Sequence, residues 1–381
     1  MKKLFITGCC ALGALSATAQ ITRPELSGFT HSTYSEGGSL QSIKEIEQSD
    51  YTKFHHIYIM AAPEWNKIDF DLPEEILLSY AEAFDYQKAN HGMSLVPAMI
   101  EKVHKGSTKI MLSFAGEGFN QIVENPVRRR KFIRYMCRFI DKHDYDGIEI
   151  DWETGVELKL HAVLMHEIRN ELDKLALAKG RYYYLTTALH YFQRYDRDLA
   201  SKVSKEVDWI NIMTYDMGGG IWGNRPTHNT PLNEIKKSLE HWKVFPSKQL
   251  CIGLANYGFR YAKVAPGQKV EGKLNQYGKY FSYNNFLPLL SDGWSEQFDE
   301  TERVAYYFSP DRSEFITMEN PSTIREKIEW ITAQDYRGVF WWEFHYDLEL
   351  PDDPKRKGTH HLIDIVDEYL NANIYNAYSE K

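Results

Sequence analysis

Three acidic residues alternate with apolar ones in the segment 147–153, which reads Gly-Ile-Glu-Ile-Asp-Trp-Glu. Alternate side chains of a β-strand point to opposite faces, so Glu149, Asp151 and Glu153 share one face of such a strand. Crowding and burial of these carboxyls would let one hold a proton near neutral pH while another stays ionised. An acid beside an anion is the arrangement that cleavage of a glycosidic bond requires. The alternatives are a divalent metal site or a plain solvated sheet face.

Short strand-like runs alternate with amphipathic segments along the whole chain. The pattern predicts eight strands, at 26–30, 55–61, 109–114, 147–153, 182–188, 209–215, 250–255 and 338–342. Apolar residues recur at helical spacing between them, and no Gly-x-Gly-x-x-Gly fingerprint of a dinucleotide fold is present. The expected fold is therefore an α/β protein with a closed TIM-type (β/α)8 barrel. A parallel barrel has no solvated sheet face, which argues against the plain surface interpretation of the acidic strand.

One interval is about sixty residues longer than its counterparts elsewhere in the chain. Residues 259–319 separate the seventh and eighth predicted strands and are rich in Tyr, Phe and Gly. A loop of that length without structure is uncommon in a compact domain. The sequence predicts a small α+β insertion subdomain at 259–319, within a catalytic barrel of residues 20–381, and such loops surround the active face of a barrel.

The first nineteen residues have the pattern of an export signal. Lys2 and Lys3 precede a short apolar run, and Ala17-Thr18-Ala19 offers a small-residue cleavage site before Gln20. A less favoured interpretation is a lipoprotein signal acylated at Cys9. No later segment has the 18 uncharged apolar residues of a membrane span. The protein is therefore expected to be exported to the periplasm, the cell surface or the medium.

The net charge argues against nucleic-acid partners, and the cysteines and histidines indicate no metal or thiol site. The chain carries 45 basic and 53 acidic residues, a net charge of −8, which offers no footprint for nucleic acid. Cys137 and Cys251 lie in apolar patterns and are expected to be buried thiols rather than a disulfide, metal ligands or nucleophiles. The spacing of the histidines indicates no metal site, so neither a metal nor a cofactor is predicted, and the oligomeric state is left open.

Five motifs in order resemble the barrel strands of family 18 glycoside hydrolases, the chitinase-type TIM barrels. Residues 146–153 resemble the Asp-Gly-x-Asp-x-Asp-x-Glu signature of that family, and 109–116 its third strand with a Ser-x-Gly-Gly ending. Residues 209–216 are similar to the sixth strand with its Met-x-Tyr-Asp, 253–258 to the seventh and 338–343 to the eighth. The resemblance extends over nearly all of the mature chain and implies the same fold.

The resemblance implies a retaining, substrate-assisted hydrolysis in which the N-acetyl group of the substrate is the nucleophile. Glu153 matches the general acid, and Asp151 the residue that accepts a hydrogen bond from the acetamido N–H. Glu149 matches the inner carboxylate that shares a proton with Asp151. Tyr215 would orient the acetamido carbonyl, and Asp216 would bind the same sugar and tune the acid.

The same comparison implies a set of substrate-binding residues. Trp342 matches an aromatic floor on which the sugar ring stacks, with Trp341 pointing the opposite way. Met213 belongs to the Met-x-Tyr-Asp motif, Ser113 is expected to bond the inner carboxylate, and Tyr257 is a further candidate. Trp222 resembles a tryptophan on the product side, although surface packing is an equally good interpretation.

Two positions depart from the family pattern. Glu149 stands where the family has Asp or Asn, which adds one methylene group to the innermost carboxylate. Ala115 replaces a glycine near Ser113. We expect activity to persist with a shifted pH profile.

Three functions remain open on these residues. The leading one is hydrolysis of β-1,4-linked N-acetylglucosamine chains, that is, chitin or its oligomers. The second is an endo-β-N-acetylglucosaminidase that cuts the chitobiose core of N-glycans. The third is a lectin-like relative that binds amino sugars without turnover, against which Glu153 argues. In each case the partner is a glycan that contains N-acetylglucosamine.

Overall fold

The computed structural model describes residues 23–24 and 28–379, without the side chains of residue 91 and residues 373–379. The predicted export segment and Cys9 lie outside the described residues. The strands are β1 (Thr30–Glu36), β2 (His56–Met60), β3 (Lys109–Ala115), β4 (Gly147–Asp151), β5 (Tyr184–His190), β6 (Trp209–Met213), β7 (Leu250–Ala255), β8 (Tyr257–Ala262), β9 (Gly278–Ser282), β10 (Ser295–Asp299), β11 (Val304–Phe308), β12 (Glu314–Thr317), β13 (Gly338–Trp342), β14 (Leu348–Glu349) and β15 (Thr359–His360).

The helices alternate with these strands as the periodicity predicts. They are α1 (Ile43–Gln48), α2 (Glu74–Ala83), α3 (His91–Ser94), α4 (Val96–Val103), α5 (Phe119–Val123), α6 (Pro126–Lys142), α7 (Leu158–Lys179), α8 (Arg197–Glu206), α9 (Leu232–Ser238), α10 (Tyr283–Ser291), α11 (Pro321–Ala333) and α12 (Ile363–Ser379). Asn320 begins α11 with a capping box, and Pro321 occupies the first turn, where its missing N–H costs nothing. None of the helices in the described part of the chain is long and apolar enough to cross a membrane.

Eight parallel strands close into a barrel in the order β1-β13-β7-β6-β5-β4-β3-β2. The outward side chains of the strands, such as Ile148 and Ile150 of β4, are fully buried beneath the helices. The inward side chains form a second cluster, with Tyr34, Tyr58 and Trp209 among its members. The predicted TIM-type barrel is confirmed.

Two predicted strands have exact bounds, two are shifted along the chain, and the other four differ by one or two residues at one or both ends. β7 and β13 were apolar enough to define both of their ends. The first strand, predicted at 26–30, instead begins at Thr30, because Thr30–Glu36 is buried despite its polar composition. There Thr30 pairs with Gly338 of β13, while residues 25–27 lie outside the described part of the chain. The hydroxyl-rich sequence conceals this strand from an apolar pattern search.

Strands β4 and β6 end two residues earlier than predicted, at Asp151 and Met213. Glu153 and Tyr215 therefore stand on the loops that leave the barrel rather than on the strands. β5 is shifted two residues toward the carboxyl terminus and ends at His190. At the mouth of the barrel, β4 and β6 are thus shorter than predicted, whereas β5 extends further.

The segment between β7 and β13 builds a second sheet. Its five antiparallel strands lie in the order β10-β11-β12-β8-β9, with α10 packed beside them. The small α+β insertion between the last two barrel strands is thus present, from Tyr257 to Thr317. The described residues place this sheet at the carboxyl end of β7, beside the mouth of the barrel.

Candidate active site

The acidic face of β4 runs from the barrel interior to its mouth. Glu149 is fully buried and pairs in register with Ser113 of β3 and Thr186 of β5. Asp151, the last residue of the strand, is 3% exposed. Glu153 lies two residues beyond the strand, with 38% of its side chain exposed. The three carboxyls therefore pass from dry to solvent-accessible surroundings.

Neutral donors surround the innermost carboxylate. The Asn211 side-chain amide donates to Glu149 Oε1 at 2.8 Å, and the Thr186 hydroxyl donates to the same oxygen at 3.2 Å. The Asn211 amide also donates to the Tyr34 hydroxyl at 3.0 Å. Burial raises the pKa of Glu149 to about 7, and the hydrogen bonds from Asn211 and Thr186 oppose that rise. Glu149 is therefore partly protonated near neutral pH.

Asp151 lies between two other acids on the same face. Burial raises its pKa well above the usual value, and the charges of Glu153 and Glu149 raise it further. Among the described residues, neither Glu149 Oε2 nor Asp151 Oδ1 has a hydrogen-bond partner. Ionising both of these adjacent buried carboxyls would place two negative charges in a dry site, which is unfavourable. The arrangement is therefore consistent with one proton held between them.

Glu153 is the carboxyl of this face that meets solvent. Burial of its inner portion raises its pKa, and the charge of Asp216 raises it further. Nε2 of His190, at the end of β5, lies 3.7 Å from Glu153 Oε2. Glu153 is therefore a carboxyl with a raised pKa at an open edge, and a raised pKa suits a general acid.

Asp216 faces Glu153 from the loop that follows β6. The Tyr257 hydroxyl donates to its Oδ1 at 2.5 Å, and the Tyr280 hydroxyl lies 3.5 Å from its Oδ2. Burial raises the pKa of Asp216 to about 6, and these two hydroxyls oppose that shift.

The backbone of Asp216 is in the left-handed region, with φ at 52°. This conformation is uncommon for a residue with a side chain, although Asp adopts it more readily than most. Asn229 holds it, because its side-chain oxygen accepts from the Asp216 N–H at 2.7 Å. The Asn229 amide in turn donates to the Tyr257 carbonyl at 2.9 Å, which joins the loop to the strand that carries Tyr257.

A cleft of about 340 Å³ opens over these groups. Of the predicted residues, Asp151, Glu153, Met213, Tyr215, Asp216, Tyr257 and Trp342 line it. The cleft is also lined by Tyr34, Glu36, Met60, His190, Tyr280 and Tyr346, which the sequence reasoning did not select. Burial raises the pKa of Tyr215 far above its usual value, so this hydroxyl remains a donor.

The remaining predicted residues lie outside the cleft wall. Ser113 and Glu149 are fully buried beneath the cleft. Trp222 is 54% exposed at the end of a helical turn, and the Lys273 ammonium lies 5.6 Å from its ring centroid. Trp222 therefore lies at the surface rather than in the wall of the cleft. Trp341 points away from the cleft, and its indole donates to His31 Nε2 at 2.9 Å.

The sequence offered no signal for several of these wall residues. Tyr34 and Glu36 end the hydroxyl-rich strand β1, whose position was mispredicted. His190 lies at the shifted end of β5, and Tyr280 comes from a strand of the insertion. Barrel closure, rather than spacing along the chain, brings these residues together.

The described residues contain no cluster of three or more His, Cys, Asp or Glu side chains with metal-binding geometry. Cys137 and Cys251 are both free and buried, as the apolar patterns predicted. Burial raises the pKa of both thiols, to about 12 for Cys251, so neither is a ready nucleophile.

Comparison with known proteins identifies relatives with the same architecture. The family model described as Glycosyl hydrolases family 18 matches residues 48–347. Chitinase 1 of Aphanocladium album is 25% identical over 272 residues, which cover 64% of this chain and 62% of that protein. Chitinase A1 of Niallia circulans is 25% identical over 276 residues, covering 60% of this chain and 38% of that protein. These alignments thus span less than two thirds of the length of either relative.

A solved structure supports the fold independently. The crystal structure of a GH18 chitinase from Cycas revoluta in complex with (GlcNAc)3 superposes with a TM-score of 0.71 at 17% identity. The superposition covers 90% of this chain and 99% of that one. Because the family model spans well over half of the sequence, including the whole acidic face of β4 and Asp216, the chain belongs to glycosyl hydrolase family 18.

Proposed function

We propose that this protein hydrolyses β-1,4-linked N-acetylglucosamine chains, chitin or its oligomers, by a retaining mechanism in which the substrate's acetamido group is the nucleophile. The observation that carries the proposal is the arrangement of acids on β4. A proton-holding carboxyl, Glu153, stands at the open edge directly above a buried carboxyl pair. The bound (GlcNAc)3 of the Cycas revoluta chitinase supports the substrate class.

In the first step, Glu153 donates its proton to the glycosidic oxygen as the bond from that oxygen to the anomeric carbon breaks. The raised pKa of Glu153 supports this role, because it keeps the carboxyl protonated closer to neutral pH. The charge of Asp216 contributes to that shift. Asp216 thus supports the acid through space and also presents its own carboxyl to the cleft.

The acetamido carbonyl oxygen attacks the anomeric carbon in the same step and forms an oxazolinium ring. Asp151 accepts a hydrogen bond from the acetamido N–H and stabilises the positive charge that develops there. The proton it shares passes to Glu149, whose pKa of about 7 suits an acceptor at neutral pH. The Tyr215 hydroxyl donates to the acetamido carbonyl and orients it for attack.

Water completes the reaction. Glu153, now ionised, accepts a proton from a water molecule whose oxygen bonds to the anomeric carbon and opens the ring. Two displacements at the same carbon retain its configuration. The indole of Trp342, which lines the cleft, provides an apolar face for the sugar ring, with Met213 on the same wall.

The experiment is incubation of the purified protein with chitin hexamer and, separately, with a high-mannose glycoprotein. Mass spectrometry of the products distinguishes the candidate functions, and proton NMR of the first-formed anomer reports retention or inversion. Short chitin oligomers as the β-anomer support the proposal. A protein that retains one sugar indicates the endo-β-N-acetylglucosaminidase, and binding without product indicates a lectin. A fully de-N-acetylated glucosamine hexamer is the control, since its cleavage at the same rate would exclude acetamido participation.

The export segment adds a proposal about location. The sequence pattern at residues 1–19 supports secretion of a mature protein that begins at Gln20. Mass spectrometry of the amino terminus from cell fractions tests this. A lipid-modified Cys9 would replace the free form with a membrane-anchored one.

A further inference from the structure

His190 is a titratable residue in the cleft to which the family motifs assign no role. It is the last residue of β5, with 24% of its side chain exposed, and its Nε2 lies 3.7 Å from Glu153 Oε2. The Phe192 ring stacks on the imidazole at 4.9 Å between centroids and 14° between planes. Half of Phe192 is exposed, so this stacked pair of rings lies at the protein surface.

The pKa shifts of His190 and Glu153 both favour the uncharged form of the side chain. Burial lowers the pKa of His190, whereas burial and the charge of Asp216 raise that of Glu153. Both shifts disfavour an ion pair and favour a neutral imidazole facing a neutral carboxylic acid. A neutral imidazole offers Nε2 as an acceptor for the carboxyl proton when Nδ1 carries the ring proton.

The separation of 3.7 Å is longer than a hydrogen bond. Contacts of catalytic groups are often long in the free protein and tighten when substrate binds. Glu153 stands on the loop beyond β4, so its side chain is the one that we expect to close this gap. The stacked Phe192 limits the imidazole to a narrow range of planes.

We propose that His190 is a positioning residue that orients the Glu153 carboxyl for proton donation, with Phe192 fixing the plane of the imidazole. This inference rests on the proposed function, in which Glu153 is the acid. His190 acts through Glu153 and makes no bond to the reacting atoms.

Several other titratable groups face this pair and contribute to any pH profile. Asp151 lies beneath Glu153 on β4, Asp216 and Tyr215 face it from the loop after β6, and Tyr280 faces it from the insertion. Their presence makes the absolute shape of the profile a property of the whole cleft. The informative quantity is therefore the difference between the wild-type protein and variants at His190 alone.

The test is the pH dependence of kcat and KM on chitin hexamer for H190A, H190Q and F192L. In H190A, water replaces the imidazole and stabilises the ionised carboxyl. We expect kcat to fall about 10- to 100-fold with little change in KM, and the alkaline limb of kcat/KM to move down by about 0.5–1 pH unit. H190Q, which still accepts a hydrogen bond, should recover most of the rate, and F192L should lie between them.

H166Q is the matched control, because His166 is largely exposed and pairs with Glu206 away from the cleft. It should leave the profile unchanged, and thermal unfolding checks that each variant is folded. An H190A profile with the wild-type alkaline limb, or an effect confined to KM, would show that His190 only lines the cleft and would overturn the inference.

A second measurement does not depend on turnover. Carbon-13 NMR of protein labelled at the glutamate carboxyls, with the Glu153 signal assigned by its loss in E153Q, gives the pKa of Glu153 directly. It should be lower in H190A than in the wild type, and equality would refute the inference. A wild-type protein that hydrolyses no substrate would overturn the proposed function, whereas this titration would still decide whether His190 acts on Glu153.

Discussion

Two groups of acids, most of them buried, lie at the carboxyl end of this barrel and differ in whether a cation accompanies them. The β4 group comprises Glu149, Asp151 and Glu153. The β13 group comprises Glu343 and His345, which follow the last barrel strand, and Glu45 of α1, with His345 between the two acids. His345 Nδ1 lies 2.9 Å from Glu343 Oε2, and its Nε2 lies 3.0 Å from Glu45 Oε1.

The cation changes the electrostatics of the second group. Although burial opposes a charge on His345, Glu343 and Glu45 raise its pKa to about 10. The imidazolium thus balances the acids beside it. The β4 acids have no cation of this kind among the described cleft residues, and burial raises their pKa values instead. The comparison teaches that burial alone does not suit a carboxyl to proton transfer. The carboxyl must also lack a neighbouring cation that would balance its negative charge.

The largest expected effect is loss of the proton donor. E153Q should reduce kcat by about 10²- to 10⁴-fold, because the amide cannot donate a proton to the leaving oxygen. Binding of chitin hexamer, measured by calorimetry, should persist. E101Q is the control, since Glu101 is exposed on α4 and pairs with Lys105, just beyond the end of that helix. A near wild-type rate in E153Q would remove the proposed acid.

Loss of the cation from the β13 group should mainly affect stability. H345Q leaves two buried carboxylates without a counter-charge, so the free energy of unfolding should fall by about 3–5 kcal/mol in urea titrations at pH 6. H361Q is the matched control, because His361 pairs with Glu349 at a more exposed position. The folded pKa of His345 is above the unfolded value of 6.5, so its contribution is full below pH 6.5 and disappears as the pH rises through about 10. A difference between the proteins that grows over that window would contradict this assignment.

Removing an acid from the β4 group should stabilise the protein at high pH, whereas removing the cation from the β13 group should destabilise it. The folded pKa of Glu149, about 7, exceeds the unfolded value of 4.5, so the wild-type protein loses stability as the pH rises from 4.5 through 7. E149Q cannot ionise and avoids that loss. Its stability relative to the wild type should be about 1–3 kcal/mol more favourable at pH 8 than at pH 4, measured by urea unfolding at both values. A difference independent of pH would mean that Glu149 is not protonated in the folded state.

The smallest expected effect follows from shortening the same side chain. E149D withdraws the inner carboxyl from Asp151, which weakens the repulsion that raises the pKa of Asp151. The acidic limb of kcat/KM should therefore move to lower pH, with a peak rate within about tenfold of the wild type. An unchanged profile would exclude a shared proton between the two carboxyls.

The fold was predictable where apolar residues mark both ends of an element. β7 and β13 met their predicted bounds, and the insertion was indicated by the length of the interval before β13. The strand Thr30–Glu36 was misplaced because most of its buried residues carry hydroxyl groups. A sequence of such residues is typical of a loop, although here they are buried in the barrel. Such a strand is defined by its partners β2 and β13, which no local pattern contains.

The site was predictable to the extent that it lies on one strand and its adjoining loops. Glu149, Asp151 and Glu153 share a face through period-two alternation, which is a local property. Asn211 and Thr186, which hold Glu149, come from other strands, and their positions depend on barrel register. The sequence analysis did not select His190 for the same reason, since nothing in its own neighbourhood along the chain places it beside Glu153.

The alternation of β4 also restricts how the barrel can assemble. A slip of one residue would turn Glu149 and Asp151 into the helix layer and carry Ile148 and Ile150 into the mouth. Gly147 adds a steric restriction, because a Cβ at that position would lie 2.3 Å from the Tyr184 carbonyl oxygen, and a slipped strand would bring a larger residue there. A chain in the shifted register cannot complete the barrel, so each molecule that folds presents its acids to the opening.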